Sequence, residues 1–316
     1  MKVLITGGAG FIGSRIINSL IIDSSRMYEI VVLDNMLEQI HGKTPKLIDG
    51  VKYIIGDVRN HEDWEKALEF NPDVILHLAS ETGTGQSMDE INRYVTTNVV
   101  GTSIMMDFVN SGKYDIKKIV LSSSRAVYGD GENIESNTSL EPKSVYGVTK
   151  LTQEQLIETS SKVPYTILRY QNVFGDGQSL NNPYTGIISI FSNIFDNGGD
   201  VEIYDNGEPT RDFIYVGDVV DATIQCMTDE RSNYGKYNVG TGISTSILSV
   251  TETLRDMINP NSNIQITDYH RDGDIMHAKG DINKITREIG WEPKRTVEYG
   301  LSRFVEWFKY ETSEVR

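Results

Sequence analysis

The sequence predicts an α/β protein, a doubly wound parallel sheet with a smaller mixed α/β lobe attached. Three observations carry that expectation. Short β-branched runs alternate with longer stretches of helical spacing through the first half, a glycine-rich turn joins the first run to the first helical stretch, and beyond Arg169 the alternation gives way to Gly, Asn, Asp and Pro. Alternating strand and helix is the signature of a parallel sheet covered on both faces, and right-handed crossovers leave few other topologies for it.

Taken in order, strands are expected at 3–6, 30–33, 53–55, 74–78, 118–122 and 166–169, and helices at 11–22, 61–70, 89–109 and 146–159. In the second part a helix is expected near 186–195, a strand at 201–204, a turn at Asp205-Asn206-Gly207, and further helical stretches at 216–227, 247–258 and 282–289. Residues 1–171, rejoined by about 213–241, therefore read as one domain, with about 172–212 and 242–316 as the second lobe. The cleft between them is the default ligand site.

The totals exclude several classes. The chain has 316 residues, 45 Asp+Glu against 30 Lys+Arg, a net charge of −15, 38% hydrophobic residues and one cysteine. That apolar content argues against disorder, and a net negative chain without a Lys/Arg run repels nucleic acid and anionic lipid. Cys226 has no partner for an internal disulfide, no apolar stretch reaches membrane-spanning length, and the expected location is cytoplasmic. His41, His270 and His277 lack the spacing and Cys partners of a zinc site, so no metal is expected.

Gly7-Gly8-Ala9-Gly10-Phe11-Ile12-Gly13 follows the first strand and opens the first helix. In such a turn Gly7 permits the tight bend, Gly10 lets the backbone approach a pyrophosphate and Gly13 lets helix and strand pack closely, while the helix N-terminus supplies N–H donors. An ordinary glycine turn looks alike in isolation. Here the second strand also ends in Asp34-Asn35, about 20 residues beyond the motif, where a carboxylate accepts from ribose hydroxyls and repels a 2′-phosphate. The expected cofactor is NAD. Asp57, at the end of the third strand, suits either an adenine amino group or a turn.

Tyr146 and Lys150 stand four residues apart at the start of a helix, on one face. A lysine ammonium and a positive nicotinamide beside the phenol both favour its phenolate, so the Tyr146 proton is expected to loosen toward neutral pH. Tyr-x-x-x-Lys also occurs on solvated helix faces. Ser122-Ser123-Ser124 at the end of an earlier strand strengthens the functional reading, with Ser124 placed to share a substrate hydrogen bond with Tyr146, although Ser122 and Ser123 taken singly suit a polar strand end.

Together with Gly56-Asp57-Val58, His77-Leu78-Ala79, Asn98, Val127-Tyr128-Gly129, Leu168–Gly175, Gly207–Val216, Tyr237–Gly242, Arg271–Asp274 and Gly290-Trp291-Glu292-Pro293, these residues resemble the extended short-chain dehydrogenase/reductases, in particular the nucleotide-sugar 4-epimerases, over almost the whole chain. The resemblance implies a Rossmann-like cofactor domain with NAD contacts from Gly7, Gly10, Phe11, Ile12, Gly13, Asp34, Asn35, Asp57, Val58, Leu78, Ala79, Asn98, Ser122, Tyr146 and Lys150. It implies Asn172, Arg211 and Arg271 on the diphosphate of a UDP- or dTDP-sugar, Tyr204 against the nucleobase and Asp274 near the ribose. Bidentate guanidinium contacts to phosphate agree with both arginines, which read alone suit surface ion pairs.

Within that resemblance, Ser124-Arg125-Ala126 stands where the dehydratases carry an acidic pair, and Cys226 is the only cysteine where the 3,5-epimerase/reductases need a Cys and a His. The remaining chemistry is epimerisation at C4 through a 4-keto intermediate. A dehydratase or 4-ketosugar reductase of the same fold is the alternative, and a non-catalytic NAD-binding regulator a more distant one. Residues 81–87 and Gln171 depart from the galactose epimerase pattern toward that of the rhamnose epimerases. Thr84, Gln86, Arg125 and Gln171 are thus placed either for sugar selection or for loop packing. The resemblance also implies a homodimer through helices 89–109 and 146–159.

Overall fold

The computed structural model describes residues 1–133, 139–180, 182–184, 186–270 and 275–313. In chain order the first part holds β1 (Lys2–Thr6), α1 (Phe11–Ile22), β2 (Glu29–Asp34), α2 (Glu38–His41), β3 (Lys52–Ile55), α3 (His61–Leu68), β4 (Val74–His77), α4 (Thr84–Asp89), α5 (Ile91–Tyr94), α6 (Gly101–Asn110), β5 (Lys118–Ser124), β6 (Gly131–Asn133), α7 (Val145–Ser160) and β7 (Tyr165–Tyr170). There follow β8 (Asn172–Phe174), α8 (Ile187–Asp196), β9 (Val201–Ile203), β10 (Thr210–Arg211), β11 (Phe213–Tyr215), α9 (Val216–Thr228), β12 (Gly235–Val239), β13 (Thr245–Ser246), α10 (Ile247–Ile258), β14 (Ile264–Ile266), β15 (Ala278–Gly280), α11 (Asn283–Ile289) and α12 (Val297–Ser313).

Seven parallel strands form the central sheet in the order β12-β7-β5-β4-β1-β2-β3. A strand covered on both faces needs apolar residues at successive positions, and Val74, Ile75 and Leu76 of β4 are all buried. One face packs on α1 and α9 through Ile16, Ile17, Leu20, Val219 and Ala222. The other packs on α3 and α6 through Trp64, Leu68, Met105 and Val109. The strand order reverses between β1 and β4, so the crevice beyond their carboxyl ends is where such sheets bind ligands.

A third core joins α8, α10 and α12 through Ile188, Phe195, Leu254, Leu301, Phe304 and Phe308. Helix α12 went unnamed in the sequence reading, although Leu301, Phe304, Val305 and Phe308 carry its helical period. The helix expected over 89–109 is broken at Glu90 and then passes through a π-helical turn at Val95–Val100. The looser turn brings Asn98 inward, where its amide donates to the Glu81 carbonyl (3.1 Å) and the Thr149 hydroxyl (2.9 Å) and accepts from Glu81 N (2.8 Å) and Ser80 Oγ (3.0 Å).

One buried carboxylate ties β10, β15 and the exit of β12 together. Asp212, between β10 and β11, accepts from Thr241 N (2.7 Å), Thr241 Oγ1 (2.6 Å), Gly242 N (3.0 Å) and Gly280 N (3.2 Å). Asp212→Ala leaves those buried donors without an acceptor. It is expected to lower stability by about 3 kcal/mol or more, read as a fall in the thermal midpoint, with Asp212→Asn falling less.

Candidate active site

The turn from β1 to α1 is shaped by glycine. Gly7 has φ +68° and donates to the Leu33 carbonyl at 2.9 Å, and a Cβ there would stand 2.7 Å from Ala79 N. A Cβ on Gly13 would stand 2.6 Å from the Gly8 Cα. No side chain caps the N-terminus of α1, whose first N–H groups face the crevice and suit an anion. Asp34, 6% exposed, is held at both oxygens, by Ala9 N (3.0 Å) and Met36 N (2.9 Å), with His41 Nε2 at 3.4 Å. The carboxylate thus faces the crevice in a fixed pose.

This arm is a cavity of about 460 Å³ lined by Gly7, Gly10, Phe11, Ile12, Gly13, Asp34, Asn35, Val58, Leu78, Ala79, Ser122, Ser124, Tyr146 and Lys150, all named from the sequence. Asp57 and Asn98 are not among its walls. Burial pushes the Asp57 carboxyl up, but hydrogen bonds from Arg59 (2.9 and 2.7 Å) outweigh it and hold the group below the usual carboxylate range. Asn98 is fully buried and props the Ser80-Glu81 segment.

The reactive end lies where α7 meets the exit of β5. Ser144 caps α7 by accepting from Gly147 N, which sets Tyr146 in the first turn and Lys150 in the next. Lys150 Nζ donates to the Ser122 carbonyl at 2.9 Å and lies 5.9 Å from the centre of the Tyr146 ring. Ser124 Oγ accepts from Ala126 N at 3.1 Å and lines the same cavity as Tyr146. Tyr94 sets its ring edge-on to Tyr146, with its hydroxyl donating to the Thr82 carbonyl at 2.5 Å.

The electrostatics differ from expectation. Burial pushes the Tyr146 phenol up, with only the Ser124 hydroxyl acting downward, and burial pulls Lys150 down to about 7. In the protein alone, desolvation therefore outweighs the help a lysine ammonium was expected to give the phenolate. His77, pulled down to about 3 by burial, is neutral and joins Thr6 (2.8 Å) to Thr102 (3.0 Å) beneath the site.

A second cavity of about 450 Å³ shares Gly83, Asn172, Val173, Gln178, Tyr184 and Gly186 with the first, and Thr84 and Arg211 line it. Arg211 Nη1 is held by the carbonyls of Thr210 (2.8 Å) and Met276 (3.3 Å). Asn172 Oδ1 and both amide atoms of Gln171 are buried without a hydrogen-bond partner, and Gln171 lines the first cavity. Arg125 and Tyr204 border neither cavity. Arg125 donates to the Gly129 carbonyl at 2.6 Å, and burial, then the nearby Arg211, lowers it to about 10. Tyr204 packs edge-on against Tyr269, with centroids 4.9 Å apart. Arg271 and Asp274 lie outside the described residues.

The sequence reading missed the roof of the first cavity. Gln39 donates to Gln86 Oε1 (3.0 Å) and Asn182 Oδ1 (3.2 Å) and accepts from Arg93 (3.0 Å), tying α2, α4, α5 and the loop before α8 together. Such contacts have no period. The only available signal was polar residues in segments next to Asp34 and in the Asn/Pro-rich stretch. Among the described residues no group of His, Cys, Asp and Glu is placed to hold a metal ion.

A model of the NAD dependent epimerase/dehydratase family matches residues 3–240. The chain belongs to that family. It is 35% identical to a dTDP-L-rhamnose 4-epimerase of Burkholderia thailandensis, across 98% of this chain and 95% of that one. Its fold matches a UDP-glucose 4-epimerase of Thermotoga maritima solved with UDP-glucose (TM-score 0.88, 30% identity, 99% and 100% of the two chains). It also matches a Thermus thermophilus UDP-glucose 4-epimerase solved with NAD (TM-score 0.85, 29% identity, 98% and 99%). Relatives include a UDP-N-acetyl-alpha-D-glucosaminuronate decarboxylase of Bacillus cytotoxicus, 28% identical over 98% of both chains, so family membership leaves the reaction open.

NAD is the cofactor of this family, and the residues present fit it: an uncapped helix N-terminus beside the Gly7 turn would take the pyrophosphate, and the backbone-anchored Asp34 the adenosine ribose. Asp34→Ser removes the charge that repels a 2′-phosphate. The ratio of the NADP and NAD dissociation constants, measured by calorimetry, is expected to fall about tenfold or more.

Proposed function

We propose that the chain interconverts nucleotide-activated hexoses, UDP- or dTDP-linked, by NAD-dependent epimerisation at C4 through a transient 4-keto sugar. One observation carries the reading. Among the described residues the reactive end offers Ser124, Tyr146 and Lys150 and no unpaired second acid or base, since the residues after Ser124 are Arg125 and Ala126 and the nearby Glu81 is tied to Arg93 at 2.7 Å. Cys226 is buried in α9 with its thiol pushed up to about 12 by burial, which removes the other familiar acid. The groups present are those that withdrawing and restoring a C4 hydrogen requires.

NAD, when bound, supplies a reversible hydride acceptor at C4. Tyr146 takes the C4 hydroxyl proton and returns it, Ser124 shares that hydrogen bond, and Lys150 supplies positive charge behind the phenol. Asn172 and Arg211 hold the sugar diphosphate in the second cavity, with Arg271 and Asp274 as further contacts, and Tyr204 is assigned to the nucleobase side. Thr84, Gln171 and Arg125 are assigned to sugar selection, which the unpaired Gln171 amide supports best.

We further read residues 1–171 with about 213–241 as the cofactor domain and the rest as the substrate lobe, in a cytoplasmic homodimer. The exposed Ile91, Val95, Val100 and Val148 along α5, the π turn and α7 support the dimer. Val148→Glu is expected to shift the mass measured by light scattering from dimer to monomer.

Tyr146→Phe is expected to fold and bind NAD yet lose turnover by roughly 10²- to 10⁴-fold. Mass spectrometry and NMR of products from a panel of UDP-, dTDP- and GDP-sugars check the reaction. A C4 epimer without net NADH is the expected product, and a dehydrated sugar or full activity in the variant contradicts the reading.

A further inference from the structure

Lys150 is 2% exposed, and among the described residues no carboxylate reaches it in an ion pair. Around it stand Tyr146 on its own helix, the Ser122 carbonyl on β5, neutral His77 on β4, and Tyr94 of α5 beyond the Tyr146 ring, with Glu81 near Tyr94 already paired to Arg93. One turn further along α7, on the same face as Tyr146 and Lys150, is Glu154.

Glu154 and Arg169 of β7 are both fully buried. Arg169 grips the carboxylate with two bonds, Nε to Oε1 at 2.9 Å and Nη2 to Oε2 at 2.6 Å, and its Nη1 donates to the Tyr128 hydroxyl at 2.7 Å. Ser123, adjacent to Ser124, donates to the same carboxylate. A buried pair of this kind brings little net stability over apolar residues of similar volume, and neither group touches the cleft. Its place is informative: Lys150, Glu154 and Arg169 follow one another as charges of alternating sign behind the reactive end. The charge of Glu154 acts on Lys150 against the downward pull of burial.

We propose that the Glu154–Arg169 pair is a positioning element that sets how firmly Lys150 holds its proton, Glu154 retaining the ammonium and Arg169 limiting that effect. The inference rests on Lys150 being the charge beside the proton-transferring Tyr146. The sign follows from Coulomb's law. Removing the anion at Glu154 makes the ammonium easier to deprotonate, and removing the cation at Arg169 makes it harder.

Lysine labelled with ¹³C at Cε in the NAD-loaded protein reads the titration directly, with the Lys150 resonance assigned as the one absent from Lys150→Met. The midpoint is expected to fall by about one pH unit in Glu154→Gln and to rise by about half a unit in Arg169→Gln, whose charge stands behind that of Glu154. Glu154→Gln/Arg169→Gln is expected to lie between wild type and Glu154→Gln. Ser123→Ala, which loses a hydrogen bond but no charge, is expected to match wild type. Unmoved midpoints, or both single variants shifting the same way, overturn the proposal. Should a single variant not fold, the double variant decides, because it leaves neither charge buried alone: a midpoint equal to wild type overturns the proposal. The readout needs no turnover, so a failure of Tyr146→Phe to abolish activity refutes the assigned catalysis separately.

Discussion

The seating of α7 against the exit of β5 is the contact on which the candidate site depends. A Cβ on Gly147 would stand 2.3 Å from the Ala126 carbonyl, so a residue larger than glycine would push the first turn of α7 away from the strand. With glycine there, Tyr146 shares the cavity wall with Ser124 and Lys150 reaches the Ser122 carbonyl. The register of the sheet brings the other parts to the same edge: Ser124 lies opposite Tyr170 and His77 opposite Leu121, with the Gly7 turn next to Ala79. The first and second cavities then meet at Asn172 and Val173, just after β7.

On the proposed function an anionic protein takes two anionic ligands, and it has to make positive potential locally. The net charge of −15 is set against an uncapped helix N-terminus in one cavity and a guanidinium held by backbone carbonyls in the other. Both act at contact distance, where the diffuse charge of the whole chain is screened. Burial sets the remaining electrostatics. It keeps His77 neutral, draws Lys150 toward neutral pH and holds the Tyr146 proton, so the site depends on nearby charge to become reactive.

Local patterns were legible in the sequence. The bounds of α1 and α10 agree to the residue, the strands of the first domain agree within about two residues at each end, and the glycine turn, Asp34, Ser124, Tyr146 and Lys150 converge as read. Contacts between distant segments were not legible. The π turn exists to bring Asn98 to Glu81 and Thr149, the roof joins Gln39 to Asn182, and Arg169 reads as an ordinary strand residue until Glu154 is seen behind it. The burial that opposes loosening of the Tyr146 proton in the protein alone was hidden for the same reason, because spacing shows which groups are near and not how dry their surroundings are. Arg125 and Tyr204 stand off the cavities, Arg125 opening the 125–127 turn with its guanidinium on the Gly129 carbonyl and Tyr204 just ahead of the 205–207 turn with its ring on Tyr269.

The central claim is that one hydrogen leaves C4 and returns to the opposite face of the same sugar. Incubating the enzyme with UDP- and dTDP-hexoses deuterated at C4 and following the label by NMR tests it most directly. Retention of deuterium at C4 of the epimeric product, without solvent exchange, is the result predicted here. Loss of the label to solvent, or its appearance at C6 of a 4-keto-6-deoxy sugar, would contradict it.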